Sequence, residues 1–284
     1  MSGTHFSWNL ISDVNDMLGY EFMRNAFEAG AIVSLVAGVV GYFVVLRRTT
    51  FAAHALAHVG FAGAAGAAVL GIDPVWGLLA FCLSAGGVMG GLGQRLRGRD
   101  TAIGIVLAFT LGLGVLFISL YSGYATEAYS ILFGEILGIS PGDVVLTLVI
   151  GAVSLALIAL LYRPLLFASV DEDVAEARRV PVRGLSVVFV MIVGLAVAVS
   201  VQVVGVLLIF ALIVTPAAVA ERVSTRPGQA LVIGVVVALL STWIGLAVGY
   251  YSPYPVSFFI TSISFATYVV VRAVTGLRGC SRPH

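Results

Sequence analysis

Residues 47–71 read RRTTFAAHALAHVGFAGAAGAAVLG, two arginines followed by a long apolar run built largely of alanine and glycine. About twenty apolar residues without charge are enough to cross the ~30 Å hydrocarbon core of a bilayer as a helix. Within the run sit His54 and His58, the only histidines away from the two ends of the chain. A spacing of four puts both imidazoles on one helix face, one turn apart. Two neutral imidazoles placed like that can share one borderline ion such as zinc. Polar side chains inside a membrane helix are costly, so they face a bundle interior, a cavity or a pathway. The plainer alternative is a pair at a helix end that bonds neighbouring carbonyls or faces the cytosol, and spacing alone leaves both open.

Composition supports the membrane reading. Of 284 residues, 60% are hydrophobic and 10% charged, and the mean hydropathy is +1.08. No soluble domain of this length has a core able to absorb so much apolar surface. The chain is polytopic. Its net charge of +1 carries no signal for nucleic acid, and only the distribution of charge is informative. All fifteen basic residues are arginine. Without lysine there is no Walker A phosphate loop and no Schiff-base site, so any ATP must be bound by another chain. Cys82 and Cys280 are too few and too differently placed for a disulfide or a structural zinc site. The first twenty-odd residues carry Asp13, Asp16 and Glu21 and no basic stretch. They do not read as a cleaved signal peptide, and the first membrane helix is expected to stay as an anchor.

Uncharged apolar runs predict spans at 27–46, 51–70, 74–92, 103–121 and 144–162, then 185–203, 204–220, 231–250 and 256–271. The pair flanking 202–205 reads either as two helices with a minimal turn or as one span plus a broken helix, so the count is eight or nine, with nine favoured. Residues 124–140, with Glu127 and Glu135, read as a short interfacial or re-entrant helix. Fourteen of the fifteen arginines fall in alternate connections, with Arg24 alone opposite. The positive-inside rule makes that side cytoplasmic, with the N-terminus outside and the C-terminus inside. The expected layout is an extracytoplasmic segment 1–22, a transmembrane domain 23–275 with a cytoplasmic loop 163–183, and a cytoplasmic tail 276–284. Tyrosines at 121, 124, 129, 250, 251 and 254 mark the outer interface. Gly86 with Gly90, Gly87 with Gly91 and Gly245 with Gly249 are GxxxG pairs of the kind that pack helices closely.

The inner loop contains SVDEDVAEARRVP, residues 169–181, which reads as a short capped helix. Ser169 is the expected N-cap, Asp171, Glu172 and Asp173 lie in the first turn, Arg178 and Arg179 in the last, and Pro181 stops it. A transporter driven by a separate ATPase needs such a rigid peg; a well-capped solvated loop would look the same. Thr215-Pro216 permits a bend in the seventh span. Gln202 and Glu221 read as interface residues.

With these stretches in hand, the sequence resembles the permease subunit of bacterial ABC importers for zinc and manganese, the ABC-3 metal permease family, over about residues 23–271. The carriers are VLRRTTFAAHALAHVGFAG, ILFGEILGISPGD, VDEDVAEARRVPV and VVGVLLIFALIVTPAAVAER, in that order. The resemblance implies an all-helical fold similar to vitamin B12 importer permeases and a homodimer in the bacterial plasma membrane. It also implies two cytoplasmic ATPase subunits and an extracytoplasmic metal-binding protein. It makes residues 171–179, with Asp171, Glu172, Asp173, Glu176, Arg178 and Arg179, the coupling helix. In the family's second-span motif an aspartate commonly stands four residues before the histidine; here that position is His54, and His58 matches the family histidine. Imidazole in place of a hard oxygen favours zinc over manganese.

The expected function is therefore import of zinc, with manganese or iron as the alternative ion. The ion is cargo, no cofactor is permanently bound, and the chain is not an enzyme. A gradient-driven metal transporter or channel would want carboxylates within its spans, and Glu28 near Arg24 is almost the only one. An intramembrane metalloprotease would want HExxH, and HALAH lacks the glutamate.

Overall fold

The computed structural model describes residues 17–92, 99–120, 134 and 136–280. Among them are nine helices and no strand. They are α1 (Glu21–Leu46), α2 (Thr50–Val69), α3 (Pro74–Gly91), α4 (Arg99–Leu120), α5 (Pro141–Val170), α6 (Glu172–Ala177), α7 (Val182–Val223), α8 (Pro227–Tyr250) and α9 (Val256–Cys280). All but α6 are long and apolar enough to cross a membrane. The fold is the all-α membrane bundle expected from the sequence.

The count turns on α7. Its 42 residues would extend about 63 Å as one rod, twice what a bilayer requires. Gly205 interrupts it with φ 81 and ψ 165, a backbone conformation open essentially to glycine alone. Phe189, before the break, meets the last turn of α1, with its ring 5.4 Å from the Arg47 guanidinium carbon. Ile213, after the break, packs its carbonyl on Gly41, one and a half turns back along the same helix. Twenty-four residues of straight helix would separate these two by about 36 Å. The chain therefore doubles back at Gly205, and α7 is two passes. The break lies within the 202–205 interruption read from the sequence, and Pro216 is buried within the returning half.

α5 also differs from expectation. It runs helically through Arg163 and Pro164 to Val170, so Arg163 does not open a long loop. A hydropathy reading ends a span at its first charge, whereas backbone bonding carries the helix on. Buried Leu165 and Ala168 hold that extension against the bundle. α9 likewise continues as helix to Cys280, beyond the tail boundary placed at 276. Residues 124–133 and 135 of the segment 124–140, Glu127 and Glu135 among them, lie outside the described residues.

α7 is the centre of the bundle, in contact with α1, α2, α3, α5, α6, α8 and α9. α4 packs chiefly on α2, and α4 and α9 turn most of their apolar surface outward. Close helix approach explains the small residues. A Cβ on either Gly63 or Gly77 would strike the other's carbonyl, so α2 and α3 touch through bare backbone. Gly86 and Gly90 do the same for α3 against Val190 and Val187 of α7. Gly245 and Gly249 face Ile260 and Val256 of α9. Gly87 and Gly91 face open space, so only two of the three GxxxG pairs pack helices within the chain.

Candidate metal site

The corner between α1 and α2 is tight and heavily bonded. The Thr49 amide donates to the Val44 carbonyl at 2.9 Å, the Thr49 hydroxyl donates to the same oxygen at 3.2 Å, and Arg48 takes a φ of 53°. This corner sets where α2 begins and hence which face its second and third turns present. His54 and His58 fall on that face, half-buried, with ring centroids 4.7 Å apart and planes at 83°. The ring of Phe210, on the returning half of α7, stands 4.7 Å from His54. His54 thus faces the second pass of α7, with His58 one turn further along the same face of α2.

The Nδ1 atom of each histidine is buried and has no hydrogen-bond partner among the described residues. Buried side-chain polar atoms are ordinarily satisfied, so two adjacent unpaired nitrogens make this face a candidate ligand site. Chemically, two neutral imidazoles offer lone pairs to a divalent transition metal. Among the described residues, no third histidine, cysteine, aspartate or glutamate gathers with them. Cys82 comes near in sequence space only through the backbone: its thiol donates to the Leu56 carbonyl at 3.4 Å, on the α3 side of the helix.

A second polar cluster lies at the opposite end of the bundle from Arg47. Asp143 closes a capping box with Ser140 at the start of α5, and its Oδ1 accepts from Gln202 Nε2 at 2.9 Å. Gln202 is therefore not a plain interface residue; it ties α7 to α5 just before the reversal. Asp73, Asp143 and Gln202 line a cavity of about 220 Å³ there. Nothing in the local sequence joins positions 143 and 202, and the contact exists because α5 and the first half of α7 pack side by side in opposite directions. Phe210 was likewise invisible, because nothing local joins it to His54.

The charged peg is present as α6. Its N-cap is Asp171, whose Oδ1 accepts from the Val174 amide at 3.0 Å, and not Ser169. Ser169 belongs to the last turn of α5 and bonds the Leu165 carbonyl. Arg178 follows as C-cap, Arg179 adopts a φ of 62°, and Pro181 caps the start of α7. Asp173 and Glu176 are exposed and Glu172 is half-buried, whereas Ala175 is buried against the bundle.

Comparison with known proteins places this architecture. The family model described as "ABC 3 transport family" matches residues 19–275. A manganese transport system membrane protein, MntC of Listeria monocytogenes, is 31% identical over 82% of this chain and 84% of its own length. The manganese import system permease protein ScaB of Streptococcus parasanguinis is 31% identical over 84% of this chain and 85% of its own. A solved structure of PsaBC from Streptococcus pneumoniae in complex with Fab superposes with a TM-score of 0.83 at 28% identity, covering 93% of this chain and 95% of that one. The helical bundle, its broken central helix and the whole-length match agree: this chain belongs to the ABC 3 transport family.

Proposed function

We propose that this chain is the membrane subunit of an ATP-driven manganese importer. The coarser statement needs no proposal: it is a multi-pass metal permease subunit of the ABC class and not an enzyme. The choice of ion is carried by the whole-length similarity to relatives named for manganese. This reverses the order of the two ions expected from the histidine pair alone. Zinc is the second reading, and one observation favours it. The paired site offers two imidazoles and, among the described residues, no carboxylate, a donor set that binds zinc more tightly than manganese.

In this reading His54 and His58 hold the ion transiently between the two halves of its passage, and water, carbonyls or a second protomer supply the remaining ligands. Weak, incomplete coordination suits a transported ion, which must leave again. Two copies of the chain form the pore, with the arginine-rich ends of the helices in the cytoplasm and the N-terminus outside, by the positive-inside rule. A metal-binding protein delivers the ion from outside. Separate ATPase subunits dock on α6, whose exposed acidic residues and buried Ala175 suit it to transmit a push into α5 and α7.

The test is uptake by proteoliposomes holding this chain, its ATPase and its binding protein. ATP-dependent manganese uptake that zinc competes for poorly, and that collapses in His54→Ala/His58→Ala, supports the reading. Preferential zinc uptake selects the second one. Uptake that survives the double substitution returns the histidines to packing, and uptake without ATP or partners points to a gradient-driven transporter.

A further inference from the structure

Arg47 is buried, with 4% of its surface exposed, while its neighbour Arg48 faces outward. Burying a guanidinium is expensive unless the geometry rewards it. Here the side chain reaches both segments that flank α6. Its Nη1 donates to Ser169 Oγ at 3.4 Å, and Ser169 lies two residues before Asp171, the N-cap of α6. Its guanidinium carbon lies 5.4 Å from the centroid of Phe189, in the second turn of α7, which follows α6 directly. One planar cation thus spans the end of α5 and the beginning of α7, a task that suits arginine's fork and flat face.

On its own segment Arg47 is equally well anchored. Its amide donates to the Phe43 carbonyl at 2.9 Å as the last bond of α1. The Thr49 amide and hydroxyl lock the corner onto Val44, and the Ala53 amide donates to the Thr49 carbonyl at 3.0 Å. The next residue is His54. From α6 to the metal face there is therefore a short, bonded route through Ser169 or Phe189, Arg47, Thr49 and the first turn of α2.

We propose that Arg47 is the positioning residue that passes displacement of α6 to the histidine-bearing helix, so that ATP turnover and the state of the metal site stay in step. The proposal rests on the reading of α6 as the ATPase-docking helix. It assigns Arg47 no contact with the ion.

The experiment uses the full complex in proteoliposomes and reads three quantities: co-purification of the ATPase, ATP hydrolysis rate, and manganese taken up per ATP hydrolysed. Arg47→Met retains ATPase binding and hydrolysis but lowers uptake per ATP by about tenfold, within the usual range of site-to-site coupling. Arg47→Lys, which keeps the charge without the fork, falls between Met and wild type. Ser169→Ala lowers the ratio by about twofold, as expected for one long hydrogen bond. The double variant Arg47→Met/Ser169→Ala is no worse than Arg47→Met, because the bond is already lost. An Arg47→Met complex that assembles with a wild-type ratio overturns the proposal, as does additivity in the double variant. Should Arg47→Met fail to assemble, wild-type ratios in both Arg47→Lys and Ser169→Ala overturn it. Failure of the underlying reading shows separately: Glu172→Ala/Glu176→Ala would then assemble and pump as wild type, and the proposal would fall with that reading.

Discussion

His54 and Phe210 meet edge-on, with ring centroids 4.7 Å apart and planes at 63°, although 156 residues separate them in the chain. The phenylalanine forms one wall beside the candidate metal face and limits the rotamers open to His54. Aromatic pairs of this kind are worth about 0.5–1.5 kcal/mol beyond the area they bury. Phe210→Ala should therefore weaken metal binding by roughly three- to tenfold while leaving the chain folded. Titration of manganese or zinc into the purified permease, with thermal unfolding as the control, measures both.

Protons compete with metal for the same imidazole nitrogens. Only the neutral imidazole offers its lone pair to a metal, so the binding form is lost as the pH falls. Uptake at a fixed ATPase rate is expected to fall on acidification, with a dependence steeper than one proton because two rings must be neutral. His58→Ala should flatten the profile towards a single titration. A profile unchanged by either substitution would remove the pair from the pathway.

Ligand type at position 54 bears on ion choice. His54→Asp exchanges an imidazole for a hard oxygen donor and should shift preference from zinc towards manganese, on the order of tenfold, the scale on which changes around a metal act. Competition between the two ions in the reconstituted importer reads the shift directly. If the ratio does not move, the side chain at 54 does not touch the ion.

Two glycines predict opposite outcomes for the same substitution. Gly205→Ala places a Cβ at φ 81, ψ 165, at a cost of about 1–3 kcal/mol, and strains the point at which α7 reverses. Loss of melting temperature and poor recovery are expected. Gly87→Ala adds a methyl where nothing lies within 4 Å and improves helix propensity by up to about 1 kcal/mol, so the isolated chain should be as stable or more so. A fall in dimer recovery for Gly87→Ala alone would place that face against a second protomer.

Much of the fold was legible because a bilayer imposes a one-dimensional rule. Each pass needs about twenty apolar residues, which marks the helices along the chain. The His54–His58 pair was legible for a similar reason, since an i, i+4 relation is a property of one helix and survives any tertiary arrangement. Even the interruption at 202–205 showed as two apolar runs meeting at a glycine. Errors arose where hydropathy and backbone bonding part company. α5 continues seven residues past Arg163, which put Ser169 inside α5 and handed the cap of α6 to Asp171.

What the sequence by itself determined is the class of molecule: a lysine-free, arginine-sided membrane bundle carrying two histidines on one face of its second span and a charged peg between its fifth and sixth. What only the tertiary structure decided is what those features touch. Reversal at Gly205 brings Phe210 to His54, the packing of α5 on the first half of α7 brings Gln202 to Asp143, and the α1–α2 corner sends Arg47 to Ser169 and Phe189. These contacts join residues between 59 and 156 positions apart. No local pattern encodes them, because each depends on how whole helices pack through the bare backbone of glycines and alanines, with little side-chain chemistry to announce the partner.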